Sequence, residues 1–192
     1  MYRSTGLRSL AILLAALLAW AAPCVAQERD VNGTKSVLMF FQSGVAQDDT
    51  RSYTVGATWK WNWRKQYSFA TATGYTEFSL GRWVTSNDTG EGSDWVTQVG
   101  ITPVLRLQPR SQLADWFLEV GVGANMVMPM YRSADRRFST EFNFGDHLGI
   151  GREFGMYNQH EIALRLQHFS NGGLKEPNPG ENFLQVRYVS RF

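Results

Sequence analysis

The residues best suited to chemistry lie near the end of the sequence, in the segment 168–173, which reads HFSNGG. Side chains at positions i and i+2 of a β-strand point to the same face, so a strand here would place His168 beside Ser170. An imidazole next to a hydroxyl is the pair that turns serine into a nucleophile. Because most His-x-Ser pairs are ordinary surface residues, the meaning of this one depends on the elements that carry it.

The first 26 residues have the layout of a secretory signal peptide, with two arginines ahead of a continuous apolar run at 10–22 and small residues at the end. The run is too short to be a convincing transmembrane helix. A lipoprotein signal is the alternative, since Cys24 ends the run, but the proline directly before it makes a poor lipoprotein signal. We therefore predict cleavage after residue 26 and a single mature domain at 27–192.

The predicted mature chain has little net charge and no cysteine. Residues 1–26 hold the only cysteine and two of the 19 basic residues, which leaves 17 basic against 17 acidic side chains. This balance argues against nucleic acid as a partner, because nucleic-acid-binding domains carry a basic field. The mature chain also has no apolar run of about 18 residues, the length at which a transmembrane helix is expected. If the protein lies in a membrane, it does so as a β-barrel.

From about residue 36 onward, apolar and polar residues alternate with a period of two, which is the pattern of β-strands. The predicted fold is all-β, an eight-stranded antiparallel transmembrane β-barrel. The predicted strands are 36–42, 53–63, 67–81, 95–106, 116–125, 138–150, 160–170 and 184–192.

A soluble β-sandwich also alternates, but three features favour the barrel. The polar face carries charges such as Arg106, Glu119 and Arg165, which suit a small barrel interior and not a sandwich core. The strands, at about 10 residues, exceed the usual length of about 5–6. Tryptophans lie near strand ends, as in the aromatic girdles of membrane barrels. They are Trp59, Trp61, Trp63, Trp83, Trp95 and Trp116.

Barrel topology predicts where the histidine and serine lie. With both chain ends in the periplasm, the seventh strand runs outward and ends at the cell surface. His168 and Ser170 continue its apolar face, formed by Ile162, Leu164 and Leu166, which looks at lipid. Burying polar groups at such a position costs desolvation free energy, so their presence indicates a functional role or a position at the membrane interface. The groups within their reach are outer-membrane lipids, and above all the ester-linked acyl chains of lipid A in the outer leaflet.

The segment 168–182, HFSNGGLKEPNPGEN, resembles the active-site hairpin of the lipid A 3-O-deacylases, the PagL family. The resemblance extends weakly over the mature chain, through the eight strands, the Trp-rich second strand, NFGD at 143–146 and the aromatic C-terminus. It implies hydrolysis of the acyl ester at position 3 of lipid A, the membrane anchor of lipopolysaccharide. A 3-hydroxy fatty acid would be released, and the family implies neither a metal nor another cofactor.

The resemblance also implies a role for each site residue. Ser170 would be the nucleophile, His168 its base and Glu181 the acid that orients the imidazole. Asn171 and Gly172 would form the oxyanion site, where glycine lets the backbone approach the substrate closely.

Strand alternation offers a second candidate for the group that orients His168. Counting the alternation back from Phe192 puts Asn182 on the outward face and Glu181 on the inward face. A bulge or a loop conformation would have to turn Glu181 outward. We favour Glu181, because a carboxylate stabilises an imidazolium better than an amide does. Asn182 stays the alternative.

Other functions and placements remain open at this stage. Outer membrane phospholipase A uses a similar His-x-Ser-Asn-Gly stretch with an asparagine, although its larger barrel does not fit in this length. A non-enzymatic small barrel for adhesion or membrane stability is the other alternative. Asp146 is expected on the outward face of the sixth strand, either supporting the site or at a bulge, and His147 on the inward face. Monomer and homodimer are both compatible with the sequence.

Overall fold

The computed structural model describes residues 37–47, 49–86, 93–112 and 114–190. The predicted signal peptide at 1–26 and the terminal Phe192 lie outside these ranges. In the described residues, eight antiparallel strands close into a barrel in which each strand pairs with its chain neighbours and the first pairs with the last. They are β1 (Leu38–Ala46), β2 (Arg51–Gln66), β3 (Ala70–Ser86), β4 (Ser93–Pro109), β5 (Trp116–Met128), β6 (Phe142–Phe154), β7 (His160–Ser170) and β8 (Glu181–Ser190), with a short 3-10 helix (Met156–Asn158) between β6 and β7.

Side chains alternate between the two faces of the barrel wall, and buried and exposed positions follow each other strictly along β5, β6 and β8. The exposed positions are largely apolar, and the buried ones include many polar and charged residues. An apolar exterior around a polar interior is the arrangement of a transmembrane β-barrel. The predicted fold is therefore confirmed. Among the described residues, no helix is long and apolar enough to span a membrane.

Ion pairs fill the middle of the barrel interior. Arg165 lies 2.8 Å from Glu77 and 2.7 Å from Glu119, and Arg106 lies 3.1 Å from Glu119 and 2.8 Å from Glu161. Each of these side chains is almost completely removed from solvent. Buried charges are tolerated only when they are paired and hydrogen-bonded, so these contacts are what allows the interior to be polar. The inward direction predicted for these charges is confirmed.

An aromatic cluster fills the interior near one end of the barrel, where β7 ends and β8 begins. Trp83 lies at its centre and is 1% exposed, so its predicted place in the exterior girdle is wrong. Phe138 packs edge-on against Trp83 from the connection at 129–141, and β6 therefore begins at Phe142 and not at residue 138. The cluster consists of Trp83, Val96, Val127, Tyr131, Phe138, Phe169 and Phe183.

Candidate active site

The end of β7 carries the histidine and the serine on the outer face of the barrel, as the alternation predicts. His168 and Ser170 are both half-buried, and Phe169 between them points inward, with its ring 4.7 Å from that of Trp83. The buried ring anchors this strand end and fixes which way its neighbours face. Within the described residues, Ser170 and His168 share no hydrogen bond. Such contacts are often long without substrate and tighten when it binds.

Asn182 is the residue that contacts the imidazole. It lies directly opposite His168 in the β7–β8 register, and its Oδ1 accepts a 2.8 Å hydrogen bond from Nδ1 of His168. Because an amide oxygen can only accept, Nδ1 is the donor, and in the neutral ring the lone pair is therefore on Nε2. This is the tautomer that a general base needs, because Nε2 can then take the serine proton.

Glu181 lies on the other side of the wall, and its expected contact with His168 is not formed. Its side chain is fully buried in the barrel, where its carboxylate accepts hydrogen bonds from the Tyr131 hydroxyl at 3.0 Å and from its neighbouring backbone N–H at 2.9 Å. No bulge interrupts the β7–β8 register at this point, so the strand period of two decides the direction. The structure therefore places Glu181, the favoured candidate, inside the barrel and brings the alternative, Asn182, to the imidazole.

Asp146 stands on the other flank of the imidazole. It lies opposite His168 in the β6–β7 register and points outward, so Asp146, His168 and Asn182 form a row across three strands. Cross-strand neighbours have Cβ atoms about 4.5–5.5 Å apart, which brings the carboxylate close to the ring. Of the two predicted positions for Asp146, the structure supports the one beside the site, since β6 and β7 pair without a bulge.

The loop after Ser170 is held together by Asn171. Its backbone N–H donates to Asn178 Oδ1 at 3.0 Å, and its side-chain amide donates to the Lys175 carbonyl at 2.7 Å and to Ser139 Oγ at 3.0 Å. These bonds engage all the N–H groups of Asn171, so in this structure none of them is left to donate to an oxyanion, the role that the resemblance implies for it. The N–H of Gly172, by contrast, makes no hydrogen bond within the described residues.

Asn178 is a candidate residue that the sequence analysis missed. Because its Oδ1 accepts from the backbone N–H of Asn171, the residue after Ser170, its amide nitrogen remains as a donor in this loop. The signal in the sequence was a proline on each side, at 177 and 179, since proline restricts the backbone of the loop and of the residue before it.

A groove of about 670 Å³ runs along the exterior of the barrel beside the row of polar residues. Asp146, His168 and Asn182 all contribute to its wall. Apolar side chains from five strands form most of the remainder, and they include Val45, Val120, Leu148, Leu166 and Leu184. The groove therefore offers an apolar surface next to the imidazole.

Comparison with known proteins decides the family. The model of the family described as lipid A 3-O-deacylase (PagL) matches residues 51–191, which is most of the chain. The chain belongs to the lipid A 3-O-deacylase (PagL) family. The resemblance first noted at residues 168–182 is confirmed.

Individual PagL proteins resemble this chain over different lengths. The lipid A deacylase PagL of Bordetella bronchiseptica is 34% identical over 116 residues, which is 60% of this chain and 61% of that protein, less than two thirds of its length. The lipid A deacylase PagL of Pseudomonas aeruginosa is 29% identical over 170 residues, or 87% of this chain and 90% of that protein. The crystal structure of the outer membrane enzyme PagL has a TM-score of 0.69 at 23% identity, covering 81% of this chain and 99% of that one, and supports the same fold.

Proposed function

We propose that this protein is a serine esterase of the outer membrane that hydrolyses the 3-O-linked acyl ester of lipid A and so modifies lipopolysaccharide. The observation that carries the proposal is the 2.8 Å hydrogen bond from His168 Nδ1 to Asn182, next to Ser170 on the lipid-facing side of the barrel. It prepares an imidazole with Nε2 available as a base on the outer face of the barrel, where a lipid substrate can reach it. Membership of the PagL family supplies the substrate and the bond that is cleaved.

The reaction follows the chemistry of serine hydrolases. The Ser170 hydroxyl attacks the carbonyl carbon of the ester while His168 Nε2 takes its proton. The tetrahedral intermediate then collapses, the C–O bond to the sugar breaks, and the imidazolium returns the proton to the sugar oxygen. Water, deprotonated by the same imidazole, attacks the acyl-enzyme and releases a 3-hydroxy fatty acid. No step of this sequence requires a metal or another cofactor.

Two residues beside the imidazole together perform the functions of the carboxylate in a Ser-His-Asp triad. Asn182 fixes the tautomer and the ring orientation through its oxygen, but it is neutral. Asp146, opposite His168 on the other flank, adds the negative charge that favours the imidazolium formed during the reaction. Both functions are joined in one residue when the third member of a triad is an acid.

The loop at 171–180 supplies the donors for the oxyanion. We assign this role to the backbone N–H of Gly172, two residues after Ser170, and the side-chain amide of Asn178, whose oxygen accepts from the N–H of Asn171. Gly172 has φ of +67°, a left-handed conformation that glycine adopts without strain and that exposes its N–H. Asn171 fixes the loop that carries them.

The groove accounts for the recognition of a long acyl chain. A chain lying along its apolar wall stays in contact with barrel and lipid, and its ester bond then lies beside His168, which lines the groove two residues before Ser170. A substrate of this kind reaches the site by lateral diffusion in the outer leaflet, where lipid A resides. The site therefore faces the membrane and not the interior of the barrel.

Mass spectrometry of lipid A from cells that express the protein tests this proposal. We expect wild type to remove one 3-hydroxyacyl chain, and Ser170→Ala and His168→Ala to remove none, because loss of the nucleophile or base costs on the order of 10⁶-fold in a serine hydrolase. His160→Ala and Ser190→Ala are matched controls, since both residues lie at the opposite end of the barrel and pair with each other in register. They should retain full activity.

Two outcomes would overturn the proposal. If lipid A from wild-type cells keeps all its acyl chains, the barrel has a non-enzymatic role such as adhesion or membrane stability. If glycerophospholipids in the same extracts lose fatty acids instead, the protein is a phospholipase.

A further inference from the structure

We propose that Arg136 is a positioning residue that holds the segment Gly180-Glu181-Asn182 in place and thereby sets the orientation of His168. The proposal deepens the proposed function, on which it rests, and concerns a residue outside the groove and the reacting groups. Arg136 lies in the connection at 129–141, more than 30 positions before His168 in the sequence. Its guanidinium is directed at the beginning of β8.

Arg136 joins three connections at the same end of the barrel. Its Nη1 donates a 2.7 Å hydrogen bond to the carbonyl of Gly180, and its Nη2 lies 3.4 Å from Oε1 of Gln47 between β1 and β2. A turn within its own connection supports it, because its backbone N–H donates to Ser133 Oγ at 3.1 Å. The rigid, forked guanidinium suits a residue that must bind several acceptors in fixed directions.

Arg136 also balances the charge of Glu181. Its Nε lies 3.6 Å from Glu181 Oε2, and the Glu181 side chain has no exposed surface. The same oxygen accepts from the Tyr131 hydroxyl at 3.0 Å. A fully buried carboxylate without a cation is strongly unfavourable, so this contact fixes where Glu181 lies. It gives Glu181 a structural role and explains why an acid stands next to Asn182.

The held segment touches the imidazole on two sides. Asn182 accepts from Nδ1, and Gly180 packs so closely that a Cβ atom added to it would lie 2.7 Å from Cε1 of His168. Gly180 has φ of +67°, which other residues rarely adopt. Movement of this segment would shift the ring relative to Ser170. A displacement of about 1 Å can cost up to about 10²-fold in rate.

Steady-state kinetics on lipid A with the barrel folded in detergent micelles tests the proposal. We expect Arg136→Gln to lower kcat about tenfold with KM changed less than about twofold, because the ring is misplaced but the substrate surface is intact. Arg136→Lys should restore part of kcat by donating to the Gly180 carbonyl. Arg132→Gln is the matched control, because it removes an exposed charge from the same connection. Tyr131→Phe, which removes the other donor to Glu181 Oε2, should lower kcat in the same direction.

NMR of the imidazole provides a readout that does not depend on turnover. The chain has three histidines, so ¹⁵N-histidine labelling resolves His168, and the signal lost in His168→Ala identifies it. We expect the Nδ1–H resonance, protected by Asn182 in wild type, to broaden in Arg136→Gln and to stay sharp in Arg132→Gln. If the resonance is unchanged, the proposal is wrong even if the protein proves to have another substrate. A rise in KM alone would also overturn it, because Arg136 would then bind the substrate.

Discussion

The two faces of the barrel wall treat polar side chains in opposite ways. In the interior, charged side chains such as Arg165, Glu77 and Glu119 are numerous, and short contacts between opposite charges bind them to one another. On the exterior, polar groups are scarce within an apolar surface, and the row formed by Asp146, His168 and Asn182 stands out because it faces the groove. The charged groups in the interior form ion pairs with one another, whereas the polar row on the exterior faces the groove and is accessible to a ligand.

This difference separates stability from chemistry along the same strands. In β7, Arg165 points inward to the ion pairs and His168 points outward to the groove, three positions further on. A change among the ion pairs in the middle of the inner face should therefore alter the free energy of unfolding and leave the rate of hydrolysis per folded molecule unchanged. A change on the outer face should do the reverse. The following substitutions test this separation.

The largest effect on stability is expected from Arg165→Met. The substitution removes the cation that Glu77 and Glu119 share and leaves two buried carboxylates short of a partner. Loss of one member of a buried pair costs about 3–5 kcal/mol in unfolding free energy. Urea denaturation of the folded barrel in micelles measures this cost, and kcat of the folded fraction should stay within about twofold of wild type.

Arg152→Met is the control for this substitution. Arg152 lies 3.5 Å from Asp115 in a pair that is about half exposed, and such surface pairs contribute about 0–1 kcal/mol. Equal losses of stability in both variants would contradict a special role for the interior pairs. A loss of kcat in folded Arg165→Met would show that the two faces are coupled.

The barrel fold and the outward direction of His168 and Ser170 could be predicted from the sequence, because the two-residue period of the strands determines both. One alternation rule places Arg165 inside and His168 outside, and it also places Asn182 outside and Glu181 inside, although a carboxylate is the stronger orienting group chemically. What the sequence could not supply were contacts between distant connections. The hydrogen bonds of Asn171 to Asn178 and Ser139, and the packing of Phe138 on Trp83, depend on how loops fold back, and no local period encodes that.

The next effect concerns the group that orients the base. We expect Asn182→Ala to lower kcat by about 10²-fold, the lower end of what positioned acid–base catalysis contributes. Glu181→Gln should cost less than about tenfold, because the amide oxygen can still accept from Tyr131 and the imidazole loses no direct partner. Measuring kcat on lipid A for both variants compares an inward-facing residue, Glu181, with its outward-facing neighbour, Asn182. A nearly inactive Glu181→Gln beside an active Asn182→Ala would restore the assignment that the preference for a carboxylate suggested.

The smallest effect is expected from Asp146→Asn, which removes charge from the outer face and keeps the size of the side chain. Two unit charges about 4 Å apart interact by roughly 1 kcal/mol in water and about 4 kcal/mol near a protein surface. At the low end of that range kcat should fall about fivefold, because the imidazolium loses a favourable charge. The free energy of unfolding should not decrease, since a carboxylate is unfavourable on a lipid-facing surface. Asp135→Asn, in the exposed part of the connection at 129–141, is the control and should behave as wild type. If Asp146→Asn instead weakens the fold and keeps full activity, Asp146 belongs with the structural charges despite facing outward.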